Sequence, residues 1–278
     1  MEHKLSSLSG DLVQPDQLLE SPNDNRLFVD VRLGEPADEF KDYRDCHILG
    51  AVHAQIRDVF AGPPTPDSGN LPLPDLDQLE RQLQAWRVDA DTEIVLYGPS
   101  MALAARGWWV LRWAELANVK ILDGGLKAWI NHGGPVAQGE TQRASSPPPQ
   151  RLHLSGGGMP QILVQDVENL DDGAVLIDAR DENAYLAGCI PRARNVPAAG
   201  QWAPGGALRT TGEIQDLYEE AGLRKGDDVI VYCGGGVLSA LTVLTLQALG
   251  HQPRLYVGSW SEWSKRPERM ARSAMARS

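Results

Sequence analysis

A cysteine in a glycine-rich loop is the side chain of this sequence best placed for chemistry. Residues 229–232 (Val-Ile-Val-Tyr) predict a buried strand, Cys233 follows at once, and three glycines lead to an apolar helical pattern that starts at about Val237. Glycines let backbone N–H groups turn towards the sulfur, and the N-terminal end of the helix adds partial positive charge. Both features favour the thiolate over the thiol, so the pattern predicts a nucleophile.

The same cysteine also has a purely structural interpretation. Free cysteines are among the residues most often buried as small apolar side chains, and a cysteine at the end of a strand needs no chemical role. The glycines and the helix start around Cys233 strengthen the catalytic interpretation. Both interpretations stay open until the rest of the chain is considered.

Two other reactions that use a loop between a strand and a helix are disfavoured by the residues present. Cysteine-dependent phosphatases need an arginine six residues after the cysteine to hold phosphate with two hydrogen bonds, and Ser239 occupies that position. A nucleotide-binding loop needs a Gly-Lys-Ser/Thr sequence, and this loop has no lysine. Neither a phosphatase nor a nucleotide site is therefore predicted.

Length and composition place the chain among globular proteins. Its 278 residues suggest two domains or one large one, and 42% are hydrophobic and 23% charged. A net charge of −11 argues against a nucleic-acid partner, although a local basic pocket for a small anion remains compatible with it. No run approaches the ~18 apolar residues of a membrane span, and the first residues lack the apolar core of a secretory signal. We therefore expect no membrane partner.

The three cysteines, Cys46, Cys189 and Cys233, are far apart and form no Cys-x-x-Cys pair. This spacing disfavours both a disulfide framework and a zinc site. We expect no metal and no cofactor, and a reducing cytoplasm is the simplest location.

The chain contains an internal repeat. Four segments of the first half recur in the same order in the second: residues 27–32 as 174–180, 45–51 as 187–193, 93–98 as 228–233, and 122–129 as 256–263. Strands and helices alternate within each copy, which predicts an α/β fold with a mainly parallel sheet and helices on both faces. The chain is therefore interpreted as a tandem duplication. In the first copy, Asp11 is expected to cap a helix over residues 12–20.

The repeat divides the chain and places the cysteine loop in one copy alone. Residues 1–136 form the first predicted domain, 137–158 a Pro/Ser/Gly-rich linker, and 159–278 the second domain. Gly98 stands in the first copy where Cys233 stands in the second. Ligands of α/β sheets bind at the carboxyl ends of strands, so we expect one site, in the second domain.

Taken together, several motifs resemble those of the two-domain rhodanese-like sulfurtransferases, which include thiosulfate and 3-mercaptopyruvate sulfurtransferases. They are Asp30-Val31-Arg32, Asp178-Ala179-Arg180, His47-Ile48-Leu49-Gly50-Ala51, residues 68–74, 122–129 and 258–263, and Cys233-Gly234-Gly235-Gly236-Val237. The resemblance extends over nearly the whole chain and implies two tandem rhodanese-like domains.

The resemblance also implies a mechanism. The Cys233 thiolate would attack the outer sulfur of a small anionic donor, thiosulfate or 3-mercaptopyruvate, and keep that sulfur as a persulfide. A thiol, thioredoxin or cyanide would then accept it. The active loop would supply hydrogen-bond donors to the anionic sulfur; its residues are Gly234, Gly235, Gly236, Val237, Leu238 and Ser239.

The loop departs from both branches of the family. The mercaptopyruvate branch usually has a serine where this chain has Gly235, and the thiosulfate branch often has basic residues directly after the cysteine, where Gly234 stands. Arg192 or Arg194, just downstream of the second Asp-x-Arg motif, could bind the donor anion instead. The donor therefore stays open between the two compounds.

Three further residues have both a functional and a structural interpretation. His47 could transfer a proton near the site or hydrogen-bond its own loop, and Trp260 could line the site or pack in the core. Cys189 could resolve the persulfide as a disulfide, although a small buried side chain is the simpler interpretation. The Asp-x-Arg motifs are expected to be structural ion pairs at strand ends.

The rival to an enzyme is a persulfide carrier or interaction module that keeps the fold but turns over poorly. The intact Cys233 favours the enzyme. The absence of a serine at position 235 and of basic side chains in the loop keeps the carrier open.

Overall fold

Each copy of the repeat folds around its own parallel sheet. The computed structural model describes residues 10–141 and 151–275. The first copy contains β1 (Leu12–Val13), α1 (Pro15–Glu20), β2 (Arg26–Arg32), α2 (Pro36–Asp45), β3 (His47–Ile48), β4 (Val52–Gln55), α3 (Ile56–Val59), α4 (Leu76–Ala85), β5 (Glu93–Tyr97), α5 (Met101–Trp113), β6 (Val119–Leu122), α6 (Gly125–Asn131) and β7 (Val136–Ala137).

The second copy repeats this series with shorter strands. It contains α7 (Val164–Glu168), β8 (Val175–Asp178), α8 (Glu182–Ala187), β9 (Arg194–Asn195), a 3₁₀ turn (Ala198–Gln201), α9 (Thr211–Glu220), β10 (Val229–Tyr232), α10 (Leu238–Ala248), β11 (Arg254–Leu255), α11 (Ser259–Trp263) and α12 (Pro267–Met275). Among the described residues, these elements form the alternating series that the repeat predicted.

The two large sheets have the same strand order. The first runs β1-β6-β5-β2-β4 and the second β11-β10-β8-β9, with every neighbouring pair parallel. The strand that would match β1 is reduced to a parallel bridge between Gln161 and Leu255. The short β3 and β7 form a separate antiparallel pair. The prediction of an α/β fold with mainly parallel sheets is confirmed.

The duplication extends to individual hydrogen bonds. The hydroxyl of Tyr97, at the end of β5, accepts from the backbone N–H of Ile48 at 3.1 Å. In the second copy, the hydroxyl of Tyr232 accepts from the N–H of Ile190 at 3.0 Å. The same tyrosine therefore holds the same neighbouring loop in both copies, which supports duplication over chance similarity.

The two copies share one hydrophobic core. Helices α5 and α10 are apolar on nearly all sides, so each can be buried between a sheet and another helix. They pack against each other, α5 covering β5 and β2, and α10 covering β10. A single cluster of buried side chains joins the copies, from Leu96 and Trp108 to Val231 and Leu241. Cys233 belongs to this cluster, so the predicted nucleophile lies where the copies meet.

The start of the chain differs from its prediction. Leu12 and Val13 form β1 and pair with Ile121 and Leu122 of β6, so the predicted helix over residues 12–20 is wrong in its first part. Helix α1 begins at Pro15, the first helical position, where the missing N–H of proline costs no hydrogen bond. Pairing with a buried strand outweighs the helical pattern of the two apolar residues.

The predicted linker is described only at its two ends, because residues 142–150 lie outside the described residues. At one end, Ala137 of β7 pairs with His47 of β3. At the other, the N–H of Leu154 donates to the Glu80 carboxylate at 2.8 Å, and Gly158 bonds the carbonyl of Trp113. Both ends therefore pack on the first copy.

Of the helices in the described residues, none combines the length and the apolar character that crossing a membrane requires.

Candidate active site

Cys233 directly follows β10, at the carboxyl end of that strand, where ligands of parallel α/β sheets bind. Its sulfur accepts two hydrogen bonds, from the N–H of Gly236 at 3.1 Å and from the hydroxyl of Ser239 at 3.3 Å. The residue is only 1% exposed. Both donors suit an anionic sulfur, because hydrogen bonds to a charged group are stronger than those to a neutral one.

The glycines of the loop differ in how much they are needed. Gly236 has φ +83°, and a Cβ there would lie 2.9 Å from both the carbonyl oxygen of Val257 and the guanidinium of Arg106. A Cβ at Gly234 would meet nothing within 4 Å, and one at Gly235 would meet only Leu71 and Ser261, at 3.8 Å or more. Gly236 is therefore required by the turn that aims its N–H at the sulfur, and the other two are not.

Helix α10 begins directly behind the loop. Val237 is the residue before its first turn, with no side-chain cap, and the first turn carries no acidic residue. Leu238 begins the helix, and Ser239 places its hydroxyl on the sulfur. The positive end of the helix is therefore not neutralised by an acidic side chain of its own first turn.

Ser259 is a residue of this site that the sequence reading missed. Its hydroxyl accepts from the N–H of Cys233 at 3.2 Å and donates to the carbonyl of Tyr256 at 2.9 Å. Its φ is +54°, an uncommon value for a residue with a side chain, which costs about 1–3 kcal/mol. Gly125, its counterpart in the first copy, has φ +56°. Comparison of the two copies could have identified Ser259, because a serine stands there where the first copy has a glycine in the left-handed conformation.

The segment around Ser259 also holds the main chain of the cysteine loop. The N–H of Trp260 donates to the carbonyl of Cys233 at 2.9 Å, and the N–H of Ser261 donates to the carbonyl of Gly234 at 2.9 Å. Trp260 is thus placed beside the loop by its backbone. Its half-buried ring stacks on the guanidinium of Arg180, whose central carbon lies 4.7 Å from the ring centre.

The Asp-x-Arg motifs form buried ion pairs, as expected. Arg180 donates to Asp178 at 2.9 Å, and Arg32 donates to Asp30 at 2.9 Å. Burial works to lower the pKa of Arg180, but the hydrogen bond and charge of Asp178 outweigh it and raise that pKa. Because each arginine is paired within its own motif, neither offers an unpaired charge to a donor anion.

The structure does not bring Arg192 and Arg194 to Cys233. The Arg192 guanidinium donates to the carbonyls of residues 170–172 and pairs with the Asp172 carboxylate, on the chain that precedes β8. The Arg194 guanidinium donates to the carbonyl of Ala221, after α9. Arg192 has φ +67°, close to the +79° of its counterpart Gly50, so its backbone is set by the repeated turn. In this geometry both guanidinium groups bond backbone carbonyls away from the cysteine loop, and their anion-binding role stays a prediction.

His47 also lies outside the loop's hydrogen bonds. Its Nδ1 lies 2.9 Å from the carbonyl of Tyr43, and its Nε2 lies 3.2 Å from the hydroxyl of Thr141. The side chain is fully buried in the first copy. These contacts fit the structural interpretation, in which the histidine ties its own loop to the segment after β7.

Arg106, in the first copy, is the second residue of the site that the sequence reading missed. It lies on α5 and is fully buried, and its Nη1 lies 3.5 Å from the carbonyl of Gly236 in the cysteine loop. No motif marked it, because an arginine within an apolar helix has no recognisable spacing to a cysteine in the other copy. The packing of α5 against α10 brings the two together.

The first copy also supplies a loop that covers the site. The N–H of Asn70 donates to the hydroxyl of Ser261 at 2.9 Å, and a Cβ at Gly69 would lie 2.5 Å from the carbonyl of Gly258. Leu71 follows, beside Gly235. The side of the cysteine loop that faces the first copy is therefore closed by residues 69–71.

The corresponding loop of the first copy has no thiol and a different shape. A Cβ at Gly98 would lie 2.3 Å from the carbonyl oxygen of Val31. A cavity of about 580 Å³ lies here, lined by Gly98, Ser100, Lys127 and Trp202 among others. Cys46 and Cys189 form no disulfide bond. Among residues 10–141 and 151–275, no cluster of three or more His, Cys, Asp or Glu is arranged to hold a metal ion.

Fold and site define a class: two-copy α/β proteins with a cysteine loop at the carboxyl edge of the second sheet. A family model described as the rhodanese-like domain matches residues 14–132 and 164–266, and the chain belongs to that family.

Named relatives are similar over most of their length. A Mycobacterium tuberculosis protein named as a thiosulfate sulfurtransferase, SseB, is 35% identical over 87% of this chain and 88% of its own. A Pseudomonas aeruginosa protein named as a 3-mercaptopyruvate sulfurtransferase is 32% identical over 87% of this chain and 90% of its own. The crystal structure of the Escherichia coli 3-mercaptopyruvate enzyme SseA superposes with a TM-score of 0.78, at 28% identity, over 91% of this chain and 99% of the other.

Proposed function

We propose that this protein is a sulfurtransferase that moves a sulfane sulfur from thiosulfate or 3-mercaptopyruvate to a thiophilic acceptor through a persulfide on Cys233. Residues 159–278 would form the catalytic domain and residues 1–136 a domain without a nucleophile. The enzyme class is supported by relatives with the names of both sulfurtransferases over nearly their whole length. The observation that carries the mechanism is the pair of hydrogen bonds that the Cys233 sulfur accepts from Gly236 and Ser239.

The first half-reaction forms one bond and breaks another. The thiolate of Cys233 attacks the outer sulfur of the donor, and the bond from that sulfur to the rest of the donor breaks. With thiosulfate, sulfite leaves with the bonding electron pair. With 3-mercaptopyruvate, the three-carbon enolate leaves and takes a proton to become pyruvate. In both cases a persulfide anion remains on Cys233.

The second half-reaction returns the cysteine to its thiolate. A thiol, thioredoxin or cyanide attacks the outer sulfur of the persulfide, and the sulfur–sulfur bond breaks with its electrons left on Cys233. The sulfur on Cys233 is anionic as thiolate and as persulfide, so donors fixed in place before the reaction stabilise both of these states. The Gly236 N–H and the Ser239 hydroxyl are such donors, because the turn and the helix hold them beside the sulfur.

Steady-state assays with thiosulfate and with 3-mercaptopyruvate, using cyanide and then a thiol as acceptor, test this proposal. Turnover with at least one donor is expected, and Cys233→Ser is expected to abolish it. Intact mass of the donor-treated protein should increase by one sulfur atom, and the increase should be absent in the Cys233→Ser variant. Turnover in that variant would contradict the role of Cys233.

The same assays separate the enzyme from a persulfide carrier. A sulfur adduct on Cys233 without turnover with either donor would favour a carrier or interaction module. Absence of both the adduct and turnover would refute the persulfide mechanism.

A further inference from the structure

Arg106 is a buried cation held by carbonyl groups. Its guanidinium is fully buried and donates to the carbonyls of Phe60 at 3.1 Å, Leu71 at 2.9 Å and Pro72 at 3.4 Å, besides the contact with Gly236. Among the ion pairs formed by the described residues, none involves Arg106. A positive charge is therefore enclosed in the core with dipoles around it and no carboxylate beside it.

The cost of burying such a charge is large. Removing a cation from water costs several kcal/mol, and carbonyl dipoles offset only part of that unless an anion is near. Burial lowers the pKa of Arg106 to about 10, and attraction to the charge of Cys233 opposes this effect. The guanidinium therefore remains charged at neutral pH, and the ionisable group that favours its charge is the cysteine of the other copy.

Arg106 also contacts the residue that binds the sulfur. The carbonyl of Gly236 faces the guanidinium at 3.5 Å, while the N–H of Gly236 donates to the Cys233 sulfur at 3.1 Å. Gly236 has φ +83°, and the Arg106 guanidinium lies on its carbonyl side while the Cys233 sulfur lies on its N–H side. Arg106 therefore reaches the sulfur through its charge and through the residue that donates to the sulfur.

Other charges on the elements around the loop are engaged elsewhere. Asp178 at the end of β8 is paired with Arg180. The charge of Glu262 on α11 acts on Tyr256, whose pKa is raised by burial and then by that carboxylate. Of the described charged side chains, Arg106 is the one with a hydrogen bond to the cysteine loop itself.

We propose that Arg106, from the copy without a nucleophile, is the counter-charge of the anionic sulfur on Cys233 and the positioning residue of its loop. This inference rests on the proposed persulfide function. Sulfur is anionic as thiolate and as persulfide, so one fixed cation serves both half-reactions. The first copy is then part of the catalytic centre: it places a charge that the glycines of the loop cannot provide.

The test compares two variants. R106Q removes the positive charge, whereas R106K keeps the charge but lacks the planar guanidinium that donates to several carbonyls at once. Alkylation of Cys233 by iodoacetamide is measured against pH, and turnover in parallel, with R112Q as control. Arg112 lies on the same helix, but its guanidinium donates to the carbonyls of Leu116 and Ala117 and not to the cysteine loop. We expect R106Q to slow alkylation at neutral pH by about tenfold, because the thiolate loses the positive charge that favours it.

R106K is expected to keep the alkylation profile and lose turnover, because charge is retained while loop geometry is not. R112Q is expected to match the wild type in both. An R106Q protein that is folded by circular dichroism and has the wild-type alkylation profile would overturn the counter-charge. If R106Q does not fold, the test uses the turnover of R106K. Turnover of R106K equal to that of the wild type would overturn the positioning role. Alkylation requires no sulfur donor, so it tests the role of Arg106 even if the wild type shows no turnover. Absence of turnover in the wild type would refute the proposed function and leave the role of Arg106 to the alkylation result.

Discussion

The hydroxyl of Ser239 lies 3.3 Å from the sulfur of Cys233 and is fully buried with it. The counterpart of Ser239 in the first copy, which has no thiol, is Ala104, also fully buried. The hydroxyl is thus present in the copy that has a cysteine and absent from the copy that lacks one. It supplies a neutral donor in a loop whose glycines carry no side-chain donor.

Ser239→Ala is expected to lower kcat with the better donor by about tenfold, the value of one hydrogen bond to a charged group. Ala104 shows that alanine fits this helical position, so stability should change little. Thr242→Ala is the control, since Thr242 lies one turn further along α10 and bonds Gln201 rather than the sulfur. Equal losses of kcat in the two variants, measured by steady-state kinetics, would attribute the effect to packing.

Two adjacent glycines of the loop should respond oppositely to the same change. Gly235→Ser is expected to fold and keep turnover, because a Cβ there meets only ordinary contacts at 3.8 Å or more. If the mercaptopyruvate branch uses its serine at this position, the ratio of kcat/KM should shift towards 3-mercaptopyruvate.

Gly236→Ser is expected to lose at least 100-fold in kcat/KM, because φ +83° and two contacts at 2.9 Å exclude a side chain. Thermal unfolding of both variants checks that they fold. Equal kcat/KM values for Gly235→Ser and Gly236→Ser would contradict the described loop geometry.

Gly98→Cys is expected not to create a second active site. A Cβ at that position would lie 2.3 Å from the Val31 carbonyl, so the backbone must move to accept it. We expect a lower Tm and no sulfur adduct on the new cysteine by mass spectrometry after donor treatment, in a Cys233→Ser background. An adduct there would show that the first copy lacks only the thiol.

The sequence was sufficient for features that depend on local pattern and on the repeat. The sequence pattern predicts the strand before Cys233, the turn of glycines and the alternation of strands and helices. The matched segments of the repeat form the same strand order in both sheets. Contacts between the copies were not predictable in this way. Arg106 reaches the loop because two apolar helices pack together, and no spacing along the chain encodes that packing.

Arg192 and Arg194 show a second limit of the sequence. Both carry the charge that a donor anion needs. In the structure their guanidinium groups bond the carbonyls of residues 170–172 and 221. The direction of these side chains depends on the fold around them, which the sequence pattern does not specify.

Arg192→Ala and Arg194→Ala are therefore expected to leave the donor KM unchanged within about twofold, since exposed contacts of this kind contribute about 0–1 kcal/mol. Steady-state kinetics with both donors measures this. A rise of tenfold or more in KM, with kcat kept, would restore the anion-binding role.

The stability of the first copy should decrease in acid through Glu93. Its carboxylate, buried at the start of β5, bonds Lys120 at 2.7 Å and Arg26 at 2.5 Å. Burial acts to raise the pKa of Glu93, but these two cations outweigh it and hold the pKa below its ordinary value of 4.5. A carboxyl with a lowered pKa in the folded state stabilises that state above pH 4.5, and the contribution is lost as pH falls through the folded pKa.

Glu93→Gln is accordingly expected to lower Tm at neutral pH, and the difference from the wild type should shrink as the pH is lowered below 4.5. Thermal unfolding by circular dichroism between about pH 3 and 7 measures the difference. Glu35→Gln, at an exposed position before α2, is the control and should follow the wild type throughout. A Tm difference that stays constant across this pH range would mean that Glu93→Gln destabilises the protein through poorer packing. The charge of Glu93 would then not be what stabilises the fold.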